Sequence, residues 1–242
     1  MPVDMSTSGN GLIVALDFSD LEPALAMAAR VASQVSMLKV GLELFNSVGP
    51  RAIAELRATG ARVFYDAKLY DIPNTAAGAA AAAGRLGVSM INVHALGGRA
   101  MMEAAAEAAR GGAREGDFPA PLVIAVTIVT SLGDRELQEE LGLPGSSEQV
   151  LRLASLAKAA GLDGVVASVH EVAEIKRVCG SDFLTVTPGI RPHWAARGDQ
   201  ARVATPAEAI AAGADYLVIG RPITSAKDPR EAVARILQEM TG

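Results

Sequence analysis

Eight short apolar runs, each followed by a longer segment of helical composition, divide this chain almost from end to end. The runs cover 12–17, 37–43, 63–68, 90–94, 122–129, 164–168, 183–188 and 216–220. The helical segments lie near 20–33, 47–58, 75–86, 98–111, 147–160, 170–178, 205–212 and 228–240. Asp20, Thr205-Pro206 and Asp228-Pro229 suit helix starts, and Gly60, Gly87, Gly161 and Gly213 suit helix stops. A strand that must return parallel to its predecessor needs a helical crossover, so the alternation implies a parallel sheet. Eight such units without a break in composition imply an α/β protein with one closed (β/α)8 TIM barrel, whose active site lies at the C-terminal ends of the strands. That barrel is expected over 11–242, with 1–10 a frayed leader. The 242 residues, 50% of them hydrophobic, are enough for it, since such barrels run to about 250 residues.

Two connections are longer than the others. Segment 133–146, ending in Leu143-Pro144-Gly145, and segment 191–203, with Pro192 and Gly198, read as loops at the catalytic end, where a lid would sit. The alanine run 79–83 reads as a close-packed or dimer-facing helix. A net charge of −5 argues against a general nucleic-acid surface, yet leaves room for a local cationic pocket. The single Cys179 cannot form an internal disulfide, and His94, His170 and His193 lack zinc-ligand spacing beside it. The N-terminus has neither the basic start nor the apolar core of a signal peptide. No apolar run nears the roughly 20 residues needed to span a bilayer. A soluble, cytoplasmic protein without a membrane or nucleic-acid partner is expected.

The strand ends carry Asp17, Lys39, Asp66 with Lys68, His94, Thr127 with Thr130-Ser131, Ser168, Pro188-Gly189-Ile190-Arg191 and Gly220-Arg221. That convergence points to an enzyme with a polar substrate. The loops after strands seven and eight are the usual phosphate corner of such barrels, and Gly189, Gly220, Arg191 and Arg221 would serve it. Turn glycines and solvated arginines would satisfy the same pattern. Lys39, pointing into the barrel mouth, needs a carboxylate such as Asp66, as catalytic partner or as structural ion pair. On a regular strand Asp66 and Lys68 share a face, while Asp71 falls beyond the strand end and Pro73 opens the next helix. Taken alone, D-x-K-x-x-D fits a solvated charge cluster as well as a site that uses its charges.

The full string Asp66-Ala67-Lys68-Leu69-Tyr70-Asp71-Ile72-Pro73-Asn74-Thr75 resembles the signature of the orotidine 5′-monophosphate decarboxylase family, and the similarity runs from about Leu12 to about Ile236. The resemblance implies conversion of orotidine 5′-monophosphate to UMP and CO2, the last step of de novo UMP biosynthesis, with no metal and no cofactor. It implies catalytic roles for Lys39, Asp66, Lys68 and Asp71, the last supplied by the neighbouring subunit of a homodimer. Lys68 would protonate C6 of the pyrimidine. Asp17 would hold a ribose hydroxyl, Thr130 and Ser131 the pyrimidine, and Gln200, in the lid, would bridge base and phosphate. Lys39, Ile72, Thr75, Pro188, Arg191, Gly220 and Arg221 complete the implied substrate-binding set. Tyr70 stands where His is frequent, Ile128-Val129 replaces Gln-Leu, and Ala167 takes a position often held by Cys. Two alternatives compete with this reading. One is a magnesium-dependent sugar-phosphate decarboxylase or aldolase on the same fold, in which Glu43 on the second strand would join Asp66. The other is a non-catalytic nucleotide-binding barrel. His94 fits a hydrogen-bonded supporting role as well as direct participation.

Overall fold

The computed structural model describes residues 10–195 and 204–241. Eight parallel strands close on themselves in sequence order: β1 Leu12–Ala15, β2 Met37–Val40, β3 Val63–Leu69, β4 Met90–His94, β5 Leu122–Val126, β6 Gly164–Val166, β7 Leu184–Thr187 and β8 Tyr216–Ile219, with β8 pairing back to β1. Helices α1 Leu21–Val31, α2 Leu42–Val48, α3 Arg51–Ala58, α4 Pro73–Arg85, α5 Gly98–Glu115, α6 Ser146–Ala159, α7 Val169–Cys179, α8 Pro206–Ala211, α9 Arg221–Thr224 and α10 Pro229–Thr241 lie among them. This is the (β/α)8 barrel expected from the alternation. The start of β1 is tied down by Asn10, which lies inside the expected leader. Its amide donates to the Gln34 carbonyl at 2.7 Å, and its Oδ1 accepts from Leu12 N–H at 3.1 Å and Ser36 Oγ at 3.1 Å.

The barrel interior is layered, as the period of two along a strand requires. Ile13, Met37, Phe64, Met90, Ile124 and Val186 form one apolar layer inside the barrel, with Val166 and Val218 packed against it. The residues two positions further along the strands form the next layer toward the mouth: Ala15, Lys39, Asp66, Asn92, Val126, Pro188 and Gly220, all lining one cavity. An apolar plug, whose Phe64, Val166, Val186 and Val218 also line the cavity, therefore supports the layer that carries Lys39, Asp66 and Asn92.

The structure corrects four local expectations. The second strand ends at Val40, and α2 begins at Leu42 after an extended Gly41, so Glu43 is an exposed residue of a helix's first turn. Leu44 is buried at helical rather than strand spacing, which is what the reading of 37–43 as one strand missed. The fifth strand stops at Val126, three residues early. Segment 133–146 holds a π-helical turn, Glu136–Glu140, anchored by fully buried Leu137. Finally, α9 follows β8 directly, with Pro222 in its first turn.

The alanine run belongs to α4, whose Ala76, Ala80, Ala83 and Gly84 are buried. A Cβ on Gly84 would collide with the carbonyl oxygen of Ala109, and one on Gly112 with that of Ala81. The α4–α5 pair is thus a close backbone approach that only glycine permits. Gly112→Ala should destabilise the protein by ~1–3 kcal/mol in thermal or urea unfolding, because overpacking exceeds the helix-propensity gain. Gly111→Ala, whose new Cβ would meet nothing nearer than Arg114 at 3.7 Å, should instead be neutral or stabilising by up to ~1 kcal/mol. Equal effects from the two would contradict the close-approach reading.

Candidate active site

The cavity at the barrel mouth has a volume of about 500 Å³. Its centre is a chain of charges in which Lys39 and Asp66 are buried, Lys68 is part-exposed and Asp17 is exposed. Asp66 Oδ1 accepts from Lys68 Nζ at 2.6 Å, Asp66 Oδ2 lies 3.2 Å from Lys39 Nζ, and Lys39 Nζ lies 3.2 Å from Asp17 Oδ1. Lys39 and Asp66 are each more than 90% buried. Burial alone would raise the Asp66 carboxyl, but the ammonium groups of Lys39 and Lys68, with hydrogen bonds from Lys68 and Asn92, outweigh it and hold the carboxyl below its usual range. Asp66 is therefore ionised at neutral pH.

Asp66 and Lys68 meet by a route that regular strand geometry did not foresee. Phe64 pairs with Met90 and Tyr65 with Ile91, but the next pair is Leu69 with Val93, so β3 bulges at the charged residues. Lys68 lies in the bulge at φ +51°, the left-handed region that costs a side-chain-bearing residue free energy. Its backbone N–H donates to Asn92 Oδ1 at 2.7 Å, while Asn92 Nδ2 donates to Asp66 Oδ1 at 2.6 Å. Asn92, only 1% exposed, is the residue that reading strand ends overlooked. The layer spacing could have found it: Asn92 stands two beyond Met90, as Lys39 stands two beyond Met37 and Asp66 two beyond Phe64.

Thr130, Ser131, Pro188, Arg191, Gly220 and Arg221 join Asp17 and Lys39 around the cavity. Gly189, at φ +80°, turns the chain after β7 and sends Ile190 into a bridge with Ala204, which leaves Arg191 on the cavity wall. Asp71, Ile72 and Thr75 do not line the cavity of their own chain. All three are exposed, and Asp71 Oδ1 accepts from the Ile72 N–H at 2.7 Å. Gln200 lies outside the described residues.

Two polar strand ends serve the fold: Thr127 Oγ1 donates to the Val166 carbonyl at 3.0 Å, and Ser168 caps α7 by accepting from His170 N–H. His94 packs against Tyr70 with ring centroids 5.7 Å apart. Burial and the Lys68 ammonium push its imidazole below the usual histidine range despite nearby Asp66. Of the unusual positions, Ile128 lines the cavity and Ala167 is buried. Glu43 lies outside the cavity lining, so it does not join Asp66 there. Among the described residues no cluster of three or more His, Cys, Asp or Glu side chains has the arrangement of a metal site. Among the same residues no helix is long and apolar enough to cross a membrane.

Comparison with known proteins agrees with this architecture over nearly the whole chain. The orotidine 5′-phosphate decarboxylase / HUMPS family model matches residues 10–236. The chain is 53% identical over 230 residues to the orotidine 5′-phosphate decarboxylase of Moorella thermoacetica, covering 95% of this chain and 91% of that one. It is 55% identical over 230 residues to the protein of that name from Halorhodospira halophila, covering 95% of each. The crystal structure of orotidine 5′-phosphate decarboxylase from Lactobacillus acidophilus superposes with a TM-score of 0.83 at 38% identity, covering 96% of this chain and 99% of that one. With a closed eight-stranded barrel, a charged floor and full-length matches of this kind, the chain belongs to the orotidine 5′-phosphate decarboxylase / HUMPS family.

Proposed function

We propose that this chain decarboxylates orotidine 5′-monophosphate to UMP and CO2, completing de novo UMP biosynthesis, with its own charged side chains as the catalytic apparatus. The observation that carries this reading is the Lys39–Asp66–Lys68 array, with Lys39 and Asp66 buried, in a cavity that Arg191 and Arg221 also line. Breaking the C6–carboxylate bond releases CO2 and leaves an electron pair on C6 with no adjacent carbonyl to take it up. A fixed ammonium beside C6 stabilises that charge without reorganising. Lys68 fills this role, then transfers a proton to C6, giving UMP and a neutral amine that solvent reprotonates. Asp66, held between two ammonium groups, keeps Lys68 aimed. Asp17 faces the ribose, Thr130 and Ser131 the pyrimidine, and Pro188, Gly220, Arg191 and Arg221 the phosphate end; Gln200 is assigned contact with both base and phosphate.

The magnesium-dependent alternative loses its support in the donor set. Glu43 is exposed on α2, and both Asp66 oxygens face ammonium groups. The test is the ultraviolet loss of orotidine 5′-monophosphate on adding pure, EDTA-dialysed protein. Turnover unchanged by added magnesium is expected. Activity that returns only with magnesium, or tight UMP binding without turnover, would overturn the proposal.

The phosphate corner adds a separate expectation. Binding energy from a remote dianion can drive closure over the reacting centre. Arg221→Ala should lower kcat/KM by about 10²-fold or more. Phosphite dianion should raise wild-type turnover of a substrate truncated at the phosphate, and raise it less in the variant. Equal kcat/KM for wild type and variant on the full substrate would refute the assignment.

The enzyme is further proposed to be a cytoplasmic homodimer in which Asp71, Ile72 and Thr75 reach the neighbouring site. Tyr70 and Ile72, 63% and 67% exposed, flank Asp71, and Leu42 and Leu96 are exposed on the adjacent connections. An apolar rim of this kind at the barrel mouth suits a second copy of the chain.

A further inference from the structure

We propose that Asn92 is the positioning residue of this site: its side-chain amide fixes the bulged backbone of Lys68 and the carboxylate of Asp66 in one geometry. The inference rests on the decarboxylase reading for its kinetic consequence, but its structural half stands apart from it. Lys68 leaves the regular β3–β4 ladder at φ +51°, and its N–H is taken by Asn92 Oδ1 at 2.7 Å. Asn92 Nδ2 donates at 2.6 Å to Asp66 Oδ1, the same oxygen that Lys68 Nζ bonds at 2.6 Å. The orientation of the amide follows from its partners, since an N–H needs an oxygen and a carboxylate needs a donor. Only a side chain that accepts at one atom and donates at the other, from this layer of the barrel, joins the two.

The consequence is mechanical and electrostatic together. A left-handed backbone at a lysine persists only when its surroundings hold it there. Without the Oδ1 acceptor, Lys68 relaxes toward ordinary strand geometry, and its ammonium leaves the position beside C6. Without the Nδ2 donor, Asp66 Oδ1 has one hydrogen bond fewer, and the carboxylate is free to rotate. Displacement of a catalytic group by about 1 Å can cost 10²-fold in rate. Binding that depends on the phosphate corner should change little.

Two variants separate this role from simple packing. Asn92→Ala should lower kcat about 10²-fold while UMP affinity stays within a few-fold. Asn92→Asp keeps the shape and the acceptor but replaces the donor with a second carboxylate against Asp66. The charged groups facing that position are Asp66 and Lys68 on β3 and Lys39 on β2 through Asp66, with the titratable His94 at the end of β4; β5 contributes only Leu122, Val123, Ile124, Ala125 and Val126. Two adjacent carboxylates share a proton. The relative activity of Asn92→Asp should therefore rise as pH falls, since the shared proton restores a donor.

A second readout needs no turnover. Hydrogen exchange at the Lys68 amide should be slow in the wild type and in Asn92→Asp, and fast in Asn92→Ala. If the wild type fails to consume orotidine 5′-monophosphate, the functional reading fails and the exchange result still decides the clamp. Asn92→Ala with kcat within threefold of wild type would overturn the proposal. So would Asn92→Asp with the wild-type pH profile, or Lys68 exchange unchanged in Asn92→Ala. If neither variant folds and binds UMP, Asn92 is a stability residue, and the proposal falls as well.

Discussion

Lys68→Ala should reduce turnover by about 10⁴-fold or more, because it removes the charge that stabilises the C6 electron pair and the acid that quenches it. UMP affinity should change far less, since the contacts proposed for UMP lie mainly with Arg221 and the walls of the cavity. The size of the effect comes from the surroundings of Lys68. It is paired at 2.6 Å with the buried Asp66, beside which a fixed ammonium interacts more strongly than in bulk water. A variant that retained a tenth of wild-type turnover would remove Lys68 from the mechanism.

An equally large loss is expected for Asp71→Ala, and its recovery by mixing is more informative than the loss. In its own chain Asp71 is exposed and lines no part of the cavity that contains Lys68. If Asp71 completes the partner's array, a dimer of one Lys68→Ala chain and one Asp71→Ala chain carries both lesions in one site and none in the other. Random exchange of equal amounts should then restore about a quarter of wild-type activity, since half of the dimers are mixed and each has one intact site. Activity that stays at the sum of the two variants, despite subunit exchange shown by mass-tagged chains, would place Asp71 within its own barrel.

The eightfold alternation made the barrel legible because strands and helices differ in period, and the crossovers leave one closed topology for eight of them. Boundaries were harder to read where a helix starts directly at a strand end, as at Gly41 and Gly220, since neither junction has a loop to mark it. The charged residues were legible because Lys39 and Asp66 occupy inward positions, where an ionised group needs a partner. Lys68 was found through a regular strand, although its actual placement depends on a bulge and a positive φ, which no pattern of residue types announces. Asn92 escaped because a neutral amide carries no charge signal. The role proposed for it depends on the Lys68 N–H that the bulge exposes and on the Asp66 carboxylate beside it.

Lys68, unaided by a cofactor, is proposed to stabilise a carbanion at C6. Microscopic reversibility turns this into a test that needs no CO2: the same array must labilise the C6 proton of the product. Proton NMR in D2O, with chelator-treated enzyme and 5-fluoro-UMP, whose fluorine acidifies C6, reads this exchange directly. The expected result is loss of the C6 proton signal with wild-type protein and no loss above background with Lys68→Ala. Exchange at equal rates in the two proteins, or only after a metal ion is added, would contradict it.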